Sequence, residues 1–199
     1  MNIAQRERQL YEQVWNDYPA YGDFSPGERY LPAFLDMLRQ EKLPCERATV
    51  LDAGCGSGKG ALALLDAGFL VTGFDVTREG LTAEAALRFT CITGLLWDDL
   101  RTVPGERDYV YCCDVLEHIP PQFTMLVVQR LLEAAVEGVF LSISLVPDTF
   151  GLFVGQPLHQ TVQPYSWWAQ NLATLAEVIE MRDLGVTGLY FLRGAANDL

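Results

Sequence analysis

Between residues 49 and 146 the chain alternates short apolar runs with stretches whose apolar residues recur at helical spacing, the pattern of strands interleaved with helices. Thr49 to Leu51, Phe69 to Phe74, Phe89 to Gly94, Tyr109 to Cys113 and Val139 to Val146 read as five strands. Most are nearly continuous in apolar residues, as expected of parallel strands buried on both faces. Behind the first strand, Ala61 to Leu65 has helical spacing. Upstream, Arg6 to Asp17 and Pro32 to Leu43 read as two helices, joined by an aromatic, turn-rich segment from Tyr18 to Tyr30. Downstream, Pro147 to Gln163 is a long loop punctuated by glycine and proline. Pro164 then opens a helix carrying Trp167 and Trp168, and Leu175 to Met181 and Val186 to Arg193 supply two last strands. The prediction is one α/β domain, a doubly wound sandwich whose mainly parallel sheet carries helices on both faces. Its zones are a helical lid (1–45), a binding core (46–146), an acceptor loop and helix (147–170) and C-terminal strands (171–199).

The strand ends carry the chemistry. Residues 50–58 read Val-Leu-Asp-Ala-Gly-Cys-Gly-Ser-Gly, a strand running into an acid and then three glycines at alternate positions. A glycine-rich turn between a strand end and a helix start is where a doubly wound sheet binds nucleotide-type ligands. The dinucleotide fingerprint G-x-G-x-x-G is not met, because its third glycine would fall on Lys59. Asp52 at the mouth of the turn would also repel a pyrophosphate and suits a cationic ligand instead. A second acid, Asp75, closes the next strand, where a carboxylate accepts hydrogen bonds from ribose hydroxyls or caps a following helix. The fourth strand leads into Asp114-Val115-Leu116-Glu117-His118-Ile119.

Taken in this order, the three motifs resemble those of class I S-adenosylmethionine-dependent methyltransferases. Residues 50–58 match that family's hydrophobic-Asp-x-Gly-x-Gly-x-Gly motif, and Asp114 to Ile119 matches its acid-hydrophobic-Leu-Glu-His-hydrophobic motif. The resemblance covers residues 46–146 and implies a seven-stranded, Rossmann-like sheet of order 3-2-1-4-5-7-6 with strand seven antiparallel. It implies that Asp52, Ala53, Gly54, Cys55, Gly56 and Gly58 wrap the methionine part of S-adenosylmethionine. Asp75 and Val76 then hold the ribose, and Asp114 and Val115 pass beside the reactive methyl. In the family the turn after strand three holds the adenine, often through an acid. By register that position is Leu95, so Leu96, Trp97 and Asp98 are the candidates here. The product would be S-adenosylhomocysteine.

Composition narrows the partners. The 199 residues carry a net charge of −12 with no basic tract, which argues against binding long nucleic acid through its phosphates. No apolar run reaches the length of a membrane span, and the N-terminus lacks the features of a signal sequence. Five cysteines without a C-x-x-C pair suggest reduced, cytoplasmic usage and no zinc site, and no metal is expected. The protein is expected as a monomer or homodimer acting on a small-molecule or saccharide acceptor.

The flanks supply acceptor candidates. Tyr21 and Phe24 sit on the aromatic lid segment, and Arg29 has the planar guanidinium that matches the cofactor carboxylate or pairs with Glu28 or Asp23. Glu117 and Trp168 are further substrate candidates. His159 on the acceptor loop, or His118 after the fourth strand, is a base for deprotonating a hydroxyl, which favours O-methylation. Two other classes remain open: a non-catalytic, cofactor-binding partner subunit, and a nucleotide-dependent oxidoreductase on the same fold.

Overall fold

The computed structural model describes residues 2–194. Seven strands form one sheet: β1 (Thr49–Ala53), β2 (Leu70–Asp75), β3 (Thr90–Thr93), β4 (Arg107–Cys113), β5 (Ala135–Ser144), β6 (Ala176–Asp183) and β7 (Thr187–Gly194). Their order is β3-β2-β1-β4-β5-β7-β6. β1 to β5 pair in parallel, and β7 runs antiparallel to both β5 and β6. This is the order and polarity expected from the resemblance.

The period-two alternation of the central strands sorts their side chains onto two cores. Tyr109, Tyr111 and Cys113 of β4 face α2 (Pro26–Gln40) and α3 (Lys59–Asp66), whereas Val110 and Cys112 face α5 (Pro121–Glu133) and α7 (Tyr165–Leu172). Phe34 of α2 is fully buried among Phe69, Tyr109, Tyr111, Phe140 and Phe191, with ring centroids 5.3 to 6.4 Å away. A third, smaller apolar cluster joins Leu10 and Val14 of α1 (Ile3–Asp17) to Leu158, with Tyr21 and Phe150 packed against it. It ties the N-terminal helix to the loop after β5, above the carboxyl ends of the parallel strands.

Three local expectations change. The second helix begins at Pro26 rather than Pro32, because Ser25 caps it by accepting from the Glu28 N–H and Pro26 takes the first turn. Pro32 therefore lies inside α2, where the helix tolerates the missing N–H. Pro19–Asp23 forms a 3₁₀ turn, and the acceptor loop contains a short helix, α6 (Gly151–Val154). No described helix is long and apolar enough to cross a membrane.

Candidate active site

A cleft of about 420 Å³ opens at the carboxyl ends of β1, β2 and β4. Its floor is the turn after β1. The Gly54 and Cys55 N–H groups both donate to the Phe74 carbonyl, at 2.7 and 3.1 Å, which folds the turn back onto the end of β2. Gly54 has φ +83° and Gly56 φ +50°, conformations that L side chains rarely adopt. A side chain at Gly54 would also run into Val115. Asp75 faces this turn: one carboxylate oxygen accepts from the Gly56 N–H at 2.8 Å and the other from the Thr77 N–H at 3.2 Å.

The cleft is strongly acidic. Burial, with Asp75 nearby, pushes the Asp52 carboxyl up to about 7, and burial raises Asp75 itself to about 6, against the pull of its backbone donors. An acid that is about half ionised near pH 7 and a second that is mostly ionised there, both beside a glycine turn, suit a ligand that brings a cation and hydroxyl donors. A pyrophosphate would meet only repulsion there.

Past β4, Asp114 takes a left-handed conformation, φ +60°, and its N–H donates to the Ser142 carbonyl at 2.9 Å. Two histidines meet beside it. The rings of His118 and His159 stand edge to face with centroids 4.7 Å apart. His159 Nδ1 lies 2.7 Å from the Val146 carbonyl, and since a carbonyl only accepts, this nitrogen carries the proton and Nε2 keeps its lone pair. The Tyr11 hydroxyl and His118 Nδ1 share a hydrogen bond at 2.8 Å, and burial, reinforced by His159, holds His118 down at about 4. His118 is thus a neutral, fixed ring, while His159 keeps a free basic nitrogen on the wall of the cleft. Asp148 organises the loop that presents it, accepting from the N–H groups of Gly151, Leu158 and His159. Burial opposes ionisation of Asp148, but these three donors hold its carboxyl below the usual range. Asp114, His118 and His159 also offer ligand atoms within 4.8 Å of one another, a donor set of the size a divalent ion needs. In the present arrangement His118 spends Nδ1 on Tyr11.

The lid closes the cleft from above. Glu7, Tyr11 and Trp15, spaced by four on α1, all line it, with Trp15 lying against Gly56 and Gly80. Lys59 Nζ donates to the Gly22 carbonyl at 2.7 Å, and the Tyr18 hydroxyl donates to the Phe153 carbonyl at 2.8 Å. Tyr21 packs on both Trp15 and Phe150, at centroid distances of 4.9 Å each.

Of the residues singled out from sequence, Asp52, Gly54, Cys55, Gly56, Asp75, Val76, Leu96, Trp97, Asp114, Val115, His118, His159, Tyr21 and Phe24 line this cleft. Six others do not. Ala53 is buried in the core. Gly58 faces Ala85, Phe89 and Leu81, so it is a packing glycine. Asp98 is exposed, since the turn after β3 uses Asp99 instead to accept from the Leu95 N–H at 2.8 Å. Arg29 is exposed and lies over the rings of Phe24 and Tyr30, with no salt bridge to a carboxylate among the described residues. Glu117 is fully buried, accepting from the Ser144 N–H, and burial beside Asp114 keeps its carboxyl well above the ordinary value. Trp168 is fully buried in the core beneath α7. Sequence reasoning passed over Glu7, Tyr11 and Trp15, although their spacing places them on one helical face.

Residues 50–138 match the family model of the methyltransferase domain. The ubiquinone biosynthesis O-methyltransferase of Vibrio campbellii is 26% identical over 208 residues, covering 96% of this chain and 88% of that protein. The magnesium-protoporphyrin O-methyltransferase of Synechocystis is 33% identical over 110 residues, 53% of this chain and 47% of that protein. The crystal structure of magnesium protoporphyrin IX methyltransferase from Synechocystis PCC 6803 with bound S-adenosylhomocysteine superposes with a TM-score of 0.72 at 19% identity, covering 97% of this chain and all of that one.

Proposed function

Since the chain belongs to the class I S-adenosylmethionine-dependent methyltransferases, by its methyltransferase domain over residues 50–138 and its sheet order, we propose that it methylates a hydroxyl oxygen of a small, ring-bearing acceptor. The glycine turn and its two acids fit the cofactor. Asp52 suits the methionine ammonium, and Asp75 can exchange its Gly56 and Thr77 donors for ribose hydroxyls. Leu95, Leu96 and Trp97 offer an apolar wall to the adenine, with Trp97 stacked on Phe123 at 4.9 Å. Bound there, S-adenosylmethionine supplies a sulfonium methyl already activated toward nucleophiles.

The chain's own work is alignment, exclusion of water and removal of one proton. Aromatic side chains of the lid and acceptor loop, Tyr11, Trp15, Tyr21, Phe24 and Phe150, enclose the acceptor end of the cleft. His159 Nε2 takes the hydroxyl proton as oxygen attacks, while the Val146 carbonyl holds the ring and the Asp114 carboxylate stands within 4.8 Å of it. His118, neutral and pinned by Tyr11, packs against that ring and sets its tilt. The observation that carries the reading is this single free imidazole nitrogen between the cofactor turn and the acceptor loop. The curated relatives named above are O-methyltransferases whose names specify a quinone pathway and a porphyrin, which moves the acceptor away from the saccharide expected from sequence.

His159→Asn tests it. The variant should bind S-adenosylhomocysteine like the parent by calorimetry, while kcat for methylation of a phenolic acceptor falls by roughly 10²–10⁴. The deficit should shrink at alkaline pH, where the phenol ionises unaided. An unchanged kcat would remove His159 from the chemistry.

A further inference from the structure

Glu7 is the one carboxyl in the acceptor half of the cleft that the mechanism above leaves without work. It is only 4% exposed and lines the cleft from the lid helix. Its Oε2 accepts from Gln160 Nε2 at 2.9 Å. That amide is itself immobilised: its other hydrogen goes to the His118 carbonyl at 3.0 Å, and the Gln160 N–H donates to the Glu117 carbonyl at 2.7 Å. Glu7 Oε1 has no donor among the described residues, and neither Arg6 nor any other cation pairs with it there. The other acids of the cleft differ. Asp75 and Asp148 spend their oxygens on backbone N–H groups, and Asp52 lies on the cofactor side of the glycine turn. The oxygen of Glu7 that Gln160 does not hold opens on the cleft, so a bound acceptor can supply its donor there. Gln160 is the neighbour of His159 in the chain, so the loop segment that carries the basic nitrogen also anchors Glu7 of α1.

We propose that Glu7 is the specificity-determining residue of the acceptor pocket, its free carboxylate oxygen receiving a second O–H or N–H donor that the acceptor carries beside the hydroxyl deprotonated by His159. This rests on the methyltransferase reading of the site. The acceptor class is then a ring bearing two adjacent polar groups, one methylated and one held. Glu7 acts in binding and orientation: its hydrogen bond fixes which of the two groups faces the methyl.

The test is methyl transfer from labelled S-adenosylmethionine to catechol, 2-aminophenol and phenol by the full chain, with Glu7→Met as a variant of similar volume. The parent should favour catechol or 2-aminophenol over phenol by roughly tenfold or more in kcat/KM, and the better of the two tells whether the donor is hydroxyl or amine. Glu7→Met should reduce both to about the level of phenol and make the mono-methylated products of an asymmetric catechol, 3,4-dihydroxybenzoate, a mixture where the parent gives mainly one. S-adenosylhomocysteine affinity, measured on the same samples, should stay within about twofold, which separates a lost contact from a lost fold. Equal use of phenol by the parent, a preference that survives in Glu7→Met, or no turnover of any probe by protein that binds S-adenosylhomocysteine would each overturn the proposal. Failure to bind S-adenosylhomocysteine would instead remove the methyltransferase reading itself.

Discussion

Ligand affinity in the glycine-turn pocket should depend on pH in a direction set by its two buried acids. Burial and the neighbouring Asp75 place Asp52 at about 7, and burial places Asp75 at about 6. Each is neutral below its value and ionised above it. On the proposed placement of the cofactor, the ammonium group of S-adenosylhomocysteine would pair with Asp52 as a carboxylate and the ribose hydroxyls would donate to an ionised Asp75, so binding should expel protons. Between pH 5 and pH 8, full ionisation of Asp52 is worth roughly a hundredfold in affinity and that of Asp75 roughly tenfold. Together they give ~10³, or about 4 kcal/mol, with affinity rising toward alkaline pH.

The ligand-free fold should show the opposite slope. An acid whose folded value is raised holds its proton longer when folded than when unfolded. The two acids therefore favour folding most below about pH 4, the unfolded value, and that contribution is lost as pH rises through about 6 to 7. The thermal shift produced by S-adenosylhomocysteine should accordingly grow with pH. Calorimetry at pH 6 in two buffers of different ionisation enthalpy would count the released protons, expected at roughly one to one and a half. Asp52→Asn should remove the larger part of the dependence. An affinity that is flat, or that falls, between pH 5 and pH 8 would refute this account of the cleft.

Substitutions at three further sites have outcomes set by packing and exposure. Gly54→Ala combines a left-handed backbone with overlap on Val115, so it should lower stability by ~2–4 kcal/mol in denaturant melts and weaken cofactor binding even where it folds. Trp168→Ala should cost ~3–5 kcal/mol, and Trp168→Phe far less because the indole N–H has no partner among the described residues, whereas Arg29→Ala should leave both melting temperature and S-adenosylhomocysteine affinity nearly unchanged.

What could be read from the chain beforehand divides along a physical line. The sheet and the cofactor turn announce themselves through local constraints: apolar strand runs, glycines at a turn with positive φ, and acids at strand ends. Each of these needs only its neighbours in sequence to be interpreted. Asp98, Arg29 and Trp168 were misplaced because the direction of a side chain on a turn, or on a helix packed at an unknown angle, depends on contacts distant in sequence. Asp98 and Asp99 are adjacent acids, and only the bond from the Leu95 N–H decides which turns inward. Trp167 and Trp168 are adjacent indoles, and only the tilt of α7 against the sheet buries the second.

The acceptor side is harder for the same reason, carried further. Glu7, Tyr11 and Trp15 belong to α1, His118 to the turn after β4 and His159 to the loop after β5, so their meeting place exists only once three segments converge. Yet one clue was already local. A surface helix would place polar residues at Glu7 and Gln160-facing positions without cost, but Glu7 recurs at the spacing of Tyr11 and Trp15, on the face that also carries Leu10 and Val14 into a core. An acid embedded in a helix's apolar stripe is expensive to bury without a partner. In the fold Gln160 partners one of its oxygens, and the other, open to the cleft, is the one that a ligand's donor can meet, a pairing that the periodicity of the helix alone does not reveal.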